Sequence, residues 1–267
     1  MSLPKISHPL FEVLIPSKDK RIQIKQMLAK DEKILLMAKT VEDPVEQQVE
    51  IIKAIRQVVN NSIVTPGVDV NSLTLFDIEW LFIKLRQYSV TNKIDNNYDD
   101  YEEMQDWTKK LEEANDPYLQ NPNLKPKIPR PEPHKVTIDL EMLTIKWPED
   151  RNNKIKVDGA ITLELKYPDA SLYAEEDFLK SNGPDMIMIL IRNSIKAIHD
   201  SDKVLDPKDF TSQELTDFLN ELPIGIYDKI QTYLNNMPHV YYEIKYTNKL
   251  GNERTIVLSK LSDFFSF

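Results

Sequence analysis

The 267-residue chain has no cysteine, so neither a disulfide nor a thiolate-ligated metal can form. Its five glycines are too few for the Gly-rich loops that cradle phosphates, and no Walker, dinucleotide-binding or G-x-S-x-G motif occurs. Long hydrophobic runs are missing too. The longest, Met186-Ile-Met-Ile-Leu-Ile191, falls far short of the roughly 20 apolar residues that a membrane helix needs. The N-terminal segment lacks the apolar stretch of a secretory signal. Only four histidines are present, His8, His134, His199 and His239, far apart and in no metal-binding spacing. Asp150 to Ile161 resembles a calcium loop in outline only. Its sixth position is Ile155 and its twelfth Ile161, where glycine and glutamate are needed, so a turn is the better reading. The expectation is a soluble, cytoplasmic, non-enzymatic protein with no catalytic residue, no cofactor, no metal and no membrane contact.

Charge narrows the partners. A formal net charge of −9 argues against nucleic acid, because phosphate binding needs a basic face. The excess is concentrated in residues 95–116, where nine acidic side chains stand against Lys109 and Lys110. Six prolines follow between Pro117 and Pro133. Charge-dense and Pro-rich sequence favours extended backbone over a packed core, so 94–134 reads as a linker or arm, with room for a short helix from Tyr101 to Glu113.

The flanking regions carry regular patterns. Leu10 to Ile15 and Ile22 to Ile24 read as a short hairpin about a polar turn. Lys30 to Lys39 reads as a helix with acidic residues in its first turn. Asp43-Pro44 is a cap followed by proline at the first helical position, and Val45, Val49, Ile52, Ile55 and Val59 then form one apolar stripe. A third helix, about Ser72 to Tyr88, is apolar nearly all round, with Asp77 and Glu79 on opposite sides, so it must be covered twice. Beyond the linker, alternation predicts strands around Val136 to Leu140, Leu143 to Ile145 and Ile161 to Leu165. Helices are predicted from Met186 to Ile198, after the Thr211 to Glu214 capping box, and from Ile224 to Asn235. Tyr242 to Tyr246 and Thr255 to Leu258 form a closing hairpin about Asn248 to Asn252. The fold class is α+β. A helical N-terminal unit with a hairpin spans 1–93, the linker 94–134, and a strand–helix–strand unit ending in a hairpin and aromatic tail 135–267.

Four blocks carry a family resemblance. They are Ile15-Pro-Ser-Lys18 with Leu28 to Ala38; Ile55 to Asn61 with Leu75 to Arg86 and Ser89-Val90; Val136 to Leu140 with Ile155 to Asp158 and Lys166-Tyr-Pro168; and the Met237-Pro238 hairpin with Asp263-Phe-Phe265. In order and spacing the chain resembles the baseplate hub subunit and hub-assembly proteins of T-even-type contractile-tailed phages, except over 95–130. The resemblance implies a structural subunit of the hub, or a chaperone-like assembly factor absent from the finished virion, with no catalytic residue to transfer. Its partners would be other baseplate hub or tail proteins, with room for a homo-oligomer, in the host cytoplasm during assembly and in the tail baseplate if retained.

Two other classes of function are compatible with the sequence. One is an enzyme with an unrecognised site assembled from distant residues, and the other an acidic adaptor that binds a basic host protein through 95–116. For protein contacts, the side chains that stand out are Trp80 and Phe82 on the apolar third helix and Phe264, Phe265 and Phe267 in the tail, because buried aromatic anchors dominate interfaces.

Overall fold

The computed structural model describes residue 4 and residues 6–264. The hairpin β1 (Leu10–Ile15) and β2 (Lys20–Lys25) comes first, followed by α1 (Ala29–Lys39), α2 (Pro44–Ser62) and α3 (Leu75–Ser89). Next are β3 (Lys93–Tyr98), α4 (Tyr101–Glu113) and β4 (His134–Asp139). Short strands β5 (Thr144–Lys146) and β6 (Lys154–Lys156) precede β7 (Ile161–Leu165). Then come α5 (Glu176–Lys180), α6 (Gly183–Ser194), β8 (Ile195–Asp200), β9 (Lys203–Leu205), α7 (Ser212–Asn220) and α8 (Ile224–Asn235). Strands β10 (His239–Thr247) and β11 (Glu253–Leu258) and the single turn α9 (Leu261–Phe264) close the described chain. Helices and small sheets together make an α+β fold.

The chain forms two units, each assembled from separated segments. One is the chain up to Val90 with Ile145–Val240; the other is Thr91–Thr144 with the chain from Tyr241. This differs from the expected succession of 1–93, 94–134 and 135–267. The reason is strand pairing. β3 and β4 pair antiparallel from Lys93↔Asp139 to Tyr98↔His134, so the two ends of the expected linker meet and the segment is a closed excursion.

In the first unit, Val13, Ile15, Ile22 and Ile24 alternate inward from the β1–β2 ladder, and α1–α3 complete the core with Ile55, Val58, Ile78 and Ile83 among its buried residues. Asp43 caps α2, its Oδ1 accepting from the N–H groups of Val45 (2.9 Å) and Glu46 (2.8 Å). The expected stripe on α2 holds over its C-terminal half, whereas Val45 in the first turn is 66% exposed. The same unit holds the antiparallel sheet β6-β7-β8-β9, whose Leu163, Leu165 and Ile198 pack with Ile191 of α6, Leu219 of α7 and Ile230 of α8. Each such side chain, fully buried, stabilises the fold by about 1.5–3 kcal/mol relative to exposure. The helix expected from Met186 to Ile198 ends at Ser194. Ile195 onward pairs with β7, Leu163 opposite Ile198, so a tertiary partner overrides a helix-compatible local pattern.

In the second unit, β10 and β11 pair from Tyr242↔Leu258 to Thr247↔Glu253, and the Asp139 N–H donates to the Tyr242 hydroxyl at 3.3 Å. Its buried apolar residues are Trp107, Leu111, Ile138, Leu140, Leu143, Ile256 and Phe264. Gly251 in the closing turn sits at φ +86°, a conformation that side chains with a Cβ rarely adopt.

Candidate interaction surfaces

Helix α3 is covered on two sides, as its composition requires; of its acidic residues Asp77 is buried and Glu79 partly buried. Asp77 is fully buried at the helix start. It accepts from the Thr74 N–H (3.0 Å) and hydroxyl (2.7 Å) in a capping box, and from the N–H (2.9 Å) and hydroxyl of Ser17 in the β1–β2 turn. This one carboxylate ties the hairpin to the helix. Phe82 is buried at 2% exposure, so its ring is covered by the chain itself. Trp80 is only partly buried. Its Nε1 donates to the Leu14 carbonyl at 3.1 Å, and the Lys84 ammonium lies 4.6 Å from its ring centre. Because the ring is half-covered, Trp80→Ala is expected to cost about 2 kcal/mol, less than the 3–5 of a fully buried tryptophan. Urea unfolding of the isolated protein measures it, and no change at all would place the whole ring at a partner surface.

Glu79 has the more unusual environment. Burial pushes its carboxyl up to about 7, and its charge in turn holds the Tyr173 hydroxyl, itself raised chiefly by burial, above the ordinary tyrosine range. Below the ordinary glutamate value the group is protonated in both folded and unfolded chains, and the fold pays nothing for it. As pH rises from there to about 7, the unfolded chain ionises first and stability falls. Above 7 the full penalty, about 3 kcal/mol, is present. Glu79→Gln is therefore expected to raise stability by about that amount at pH 8 and to change it little near pH 4.5. Unfolding curves at the two pH values decide it; an equal effect at both would mean that ionisation is not the cause.

The second unit contains a polar clasp that sequence reasoning missed. Asp100 caps α4, its Oδ1 accepting from the Glu103 N–H at 3.0 Å and the Asn248 side-chain amide at 3.2 Å. Its other oxygen accepts from the Tyr246 hydroxyl at 2.5 Å. Glu103 Oε1 lies 2.6 Å from both His134 Nε2 and the Lys249 N–H, and Glu102 accepts from Asn248 (3.1 Å), Asn252 (2.9 Å) and Arg254 (2.9 Å). The N-cap Asp100 and two acids of the first helical turn, Glu102 and Glu103, thus grip the β10–β11 turn. Asp100, Glu103 and Asn248 are all buried. At Asp100, burial alone would raise the pKa, but the bonds from Tyr246, Glu103 and Asn248 and the charge of Arg254 outweigh it and hold the carboxyl below its ordinary range. The available signal was Asp100 as a cap before an acidic first turn; what it could not give was the partner, about 150 residues away.

The Pro-rich stretch is held in the same way. Trp107 Nε1 donates to the Ile128 carbonyl at 2.9 Å and its ring lies 5.6 Å from Tyr118, while the buried Asp116 accepts from the N–H groups of Tyr118 (3.0 Å) and Lys127 (2.8 Å). Arg130 pairs with Asp99 at 2.8 Å. Within the segment expected as a linker, the Pro-rich part is thus tied to α4 through Trp107 and to the residues flanking that helix through Asp116 and Asp99.

Among the tail residues, Phe264 is buried at 1% exposure, and Asp263 Oδ2 accepts from the N–H groups of Ser259 and Lys260, both at 2.9 Å. Phe264 therefore belongs to the interior of the chain rather than to its surface. Phe265 and Phe267 lie outside the described residues. Large apolar side chains do stand in the open elsewhere: Leu36 and Met37 on α1 are 54% and 61% exposed. No helix among the described residues is long and apolar enough to cross a membrane, and no group of three or more metal-ligating side chains is found among them.

Sequence comparison supplies the class. The chain matches the family described as T4 bacteriophage base plate protein over residues 8–266, nearly its whole length. It belongs to that family, as the four sequence blocks implied, and is a phage baseplate protein. No curated protein and no solved structure matches it.

Proposed function

We propose that the chain works in the baseplate hub, as a structural subunit or as a factor that assembles it, through protein–protein contacts and without a catalytic step. The observation that carries this is the family match, which spans both units. The exposed Leu36 and Met37 support it by giving the first unit apolar surface for contact. Its partners are then other hub and tail proteins, with self-association in the hub open to test. Its place is the host cytoplasm during assembly and the tail baseplate where it is retained.

The acidic-adaptor reading draws less support, because the carboxylates of 95–116 are engaged within the chain. All but Glu112 contact a donor or cation of their own unit, from Asp95 with the Thr137 hydroxyl to Asp116 with its backbone donors. Removing the gene from a phage that encodes this chain tests the hub reading. The expected result is infected cells that contain heads but no complete tails, restored by the chain supplied in trans. Normal tails from the deletion would overturn it. Mass spectrometry of purified particles then separates a retained subunit from a factor that leaves.

A further inference from the structure

Strand β6 is an edge of the four-stranded sheet, paired with β7 alone. Its bonding phase follows from the flanking contacts. The Leu165 N–H donates to the Asn153 carbonyl at 2.7 Å and the Val157 N–H to the Ile161 carbonyl at 2.9 Å, which makes 153–165 and 157–161 hydrogen-bonded pairs of the antiparallel register. Such pairs alternate with non-bonded ones, so Ile155 bonds inward to Leu163 while Lys154 and Lys156 turn their backbone groups away from β7. The Lys154 N–H is taken by Asn152 Oδ1 at 3.0 Å. Among the described residues the Lys154 carbonyl and both backbone groups of Lys156 have no hydrogen-bond partner and form an open edge.

Beside this edge lies a cleft of about 420 Å³ within the first unit, floored by Tyr167 and Tyr233, whose rings stack 5.1 Å apart, and flanked by Lys154, Lys156 and Lys229. On a chain of net charge −9 this is a local excess of cations. Lys154 shares Glu164, at 3.8 Å, with Lys196 and His199, which lie closer. Lys156 and Lys229 form no ion pair within 4 Å among the described residues, although the carboxyl of nearby Asp158 is held below its ordinary range by the backbone N–H groups of Ile161 and Ala160 and, after them, by the charge of Lys156. The cleft's one acid, Asp150, accepts from the Asn152 N–H at 2.8 Å.

From these features we infer that β6 and its cleft form a docking strip for an acidic, extended peptide segment of a partner protein, which adds as a strand to the open edge. The main-chain groups of Lys154 and Lys156 supply the ladder. Carboxylates at alternate positions of the incoming strand meet the two lysine side chains, which share one face, and the intervening residues fall on the side of Ile155 and Tyr233. The chain's own acidic stretch is not free for this role, since it is folded into β3 and α4 with its carboxylates engaged. The inference concerns peptide chemistry and stands or falls separately from the hub assignment.

The test is fluorescence anisotropy with a labelled hexapeptide of alternating glutamate and valine, titrated with the full-length chain. Saturable binding that weakens with salt is expected, together with a loss of about tenfold or more in the Lys154→Glu/Lys156→Glu/Lys229→Glu variant. Lys156→Pro removes an N–H that points away from β7, a change an edge strand tolerates, so it should weaken binding further than Lys156→Gln does. Circular dichroism checks that each variant is folded. Equal binding by the triple variant, equal weakening by Pro and Gln, or competition by a DNA oligonucleotide of the same charge as strong as that by the unlabelled peptide would each overturn the proposal. So would the absence of saturable binding.

Discussion

Asp100→Ala is expected to lower the stability of the second unit by about 3–5 kcal/mol, the range for removing one member of a buried, charged hydrogen-bond network. The carboxylate is 2% exposed and serves three donors at once: the Tyr246 hydroxyl, the Asn248 amide and the Glu103 N–H. Truncation leaves these unpaired in a site from which water is excluded, and it also removes the N-cap of α4. Arg254, 3.6 Å away, loses a counter-charge. The acid limb of the stability curve gives a second reading. Because the folded pKa of Asp100 is depressed, its contribution is present above the ordinary aspartate value and is lost as pH falls through the folded one. Asp100→Asn should flatten that limb. A loss below about 1 kcal/mol for the alanine variant would mean that the clasp is a solvated surface network.

Trp107→Ala is expected to cost about as much, roughly 3–5 kcal/mol, because it opens a cavity between α4 and the returning Pro-rich stretch. The ring is 7% exposed, and Ile128 and Tyr118 both lie against it. Trp107→Phe keeps most of the apolar volume and loses the bond to Ile128, so about 1 kcal/mol is expected there. Limited proteolysis provides the matching readout: 117–133 should resist cleavage in the parent and become the first site cut in the alanine variant. A parent chain cut there at once, with no loss of stability in Trp107→Ala, would restore the linker reading.

What was legible in the sequence was what depends on neighbours in the chain. The Asp43-Pro44 start of α2, the Thr211–Glu214 box of α7 and the alternation of Tyr242 to Tyr246 act over a few residues, and each element lies where its pattern places it. The β3–β4 pairing was not legible. Lys93–Tyr98 offers one apolar inward residue among polar ones, Ile94, and its partner Ile138 lies beyond six prolines. The acidic run misled for a related reason. Charges signal solvent exposure unless something pairs with them, and the partners of Asp100 and Glu103 are in the last hairpin. The aromatic candidates divide on the same principle. Apolar composition marks Phe82 and Phe264 as residues that must be covered, but it does not say whether the chain or a partner covers them; here the chain does.

The central claim is that the chain acts by contact with other hub proteins, and the most direct measurement is affinity isolation of the tagged chain from infected cells, with mass spectrometry of what accompanies it. The expected result is baseplate hub proteins in fixed ratio to the chain, retained in salt that strips non-specific electrostatic contacts. Isolation of the chain alone at every stage of infection, or with host proteins only, would contradict it.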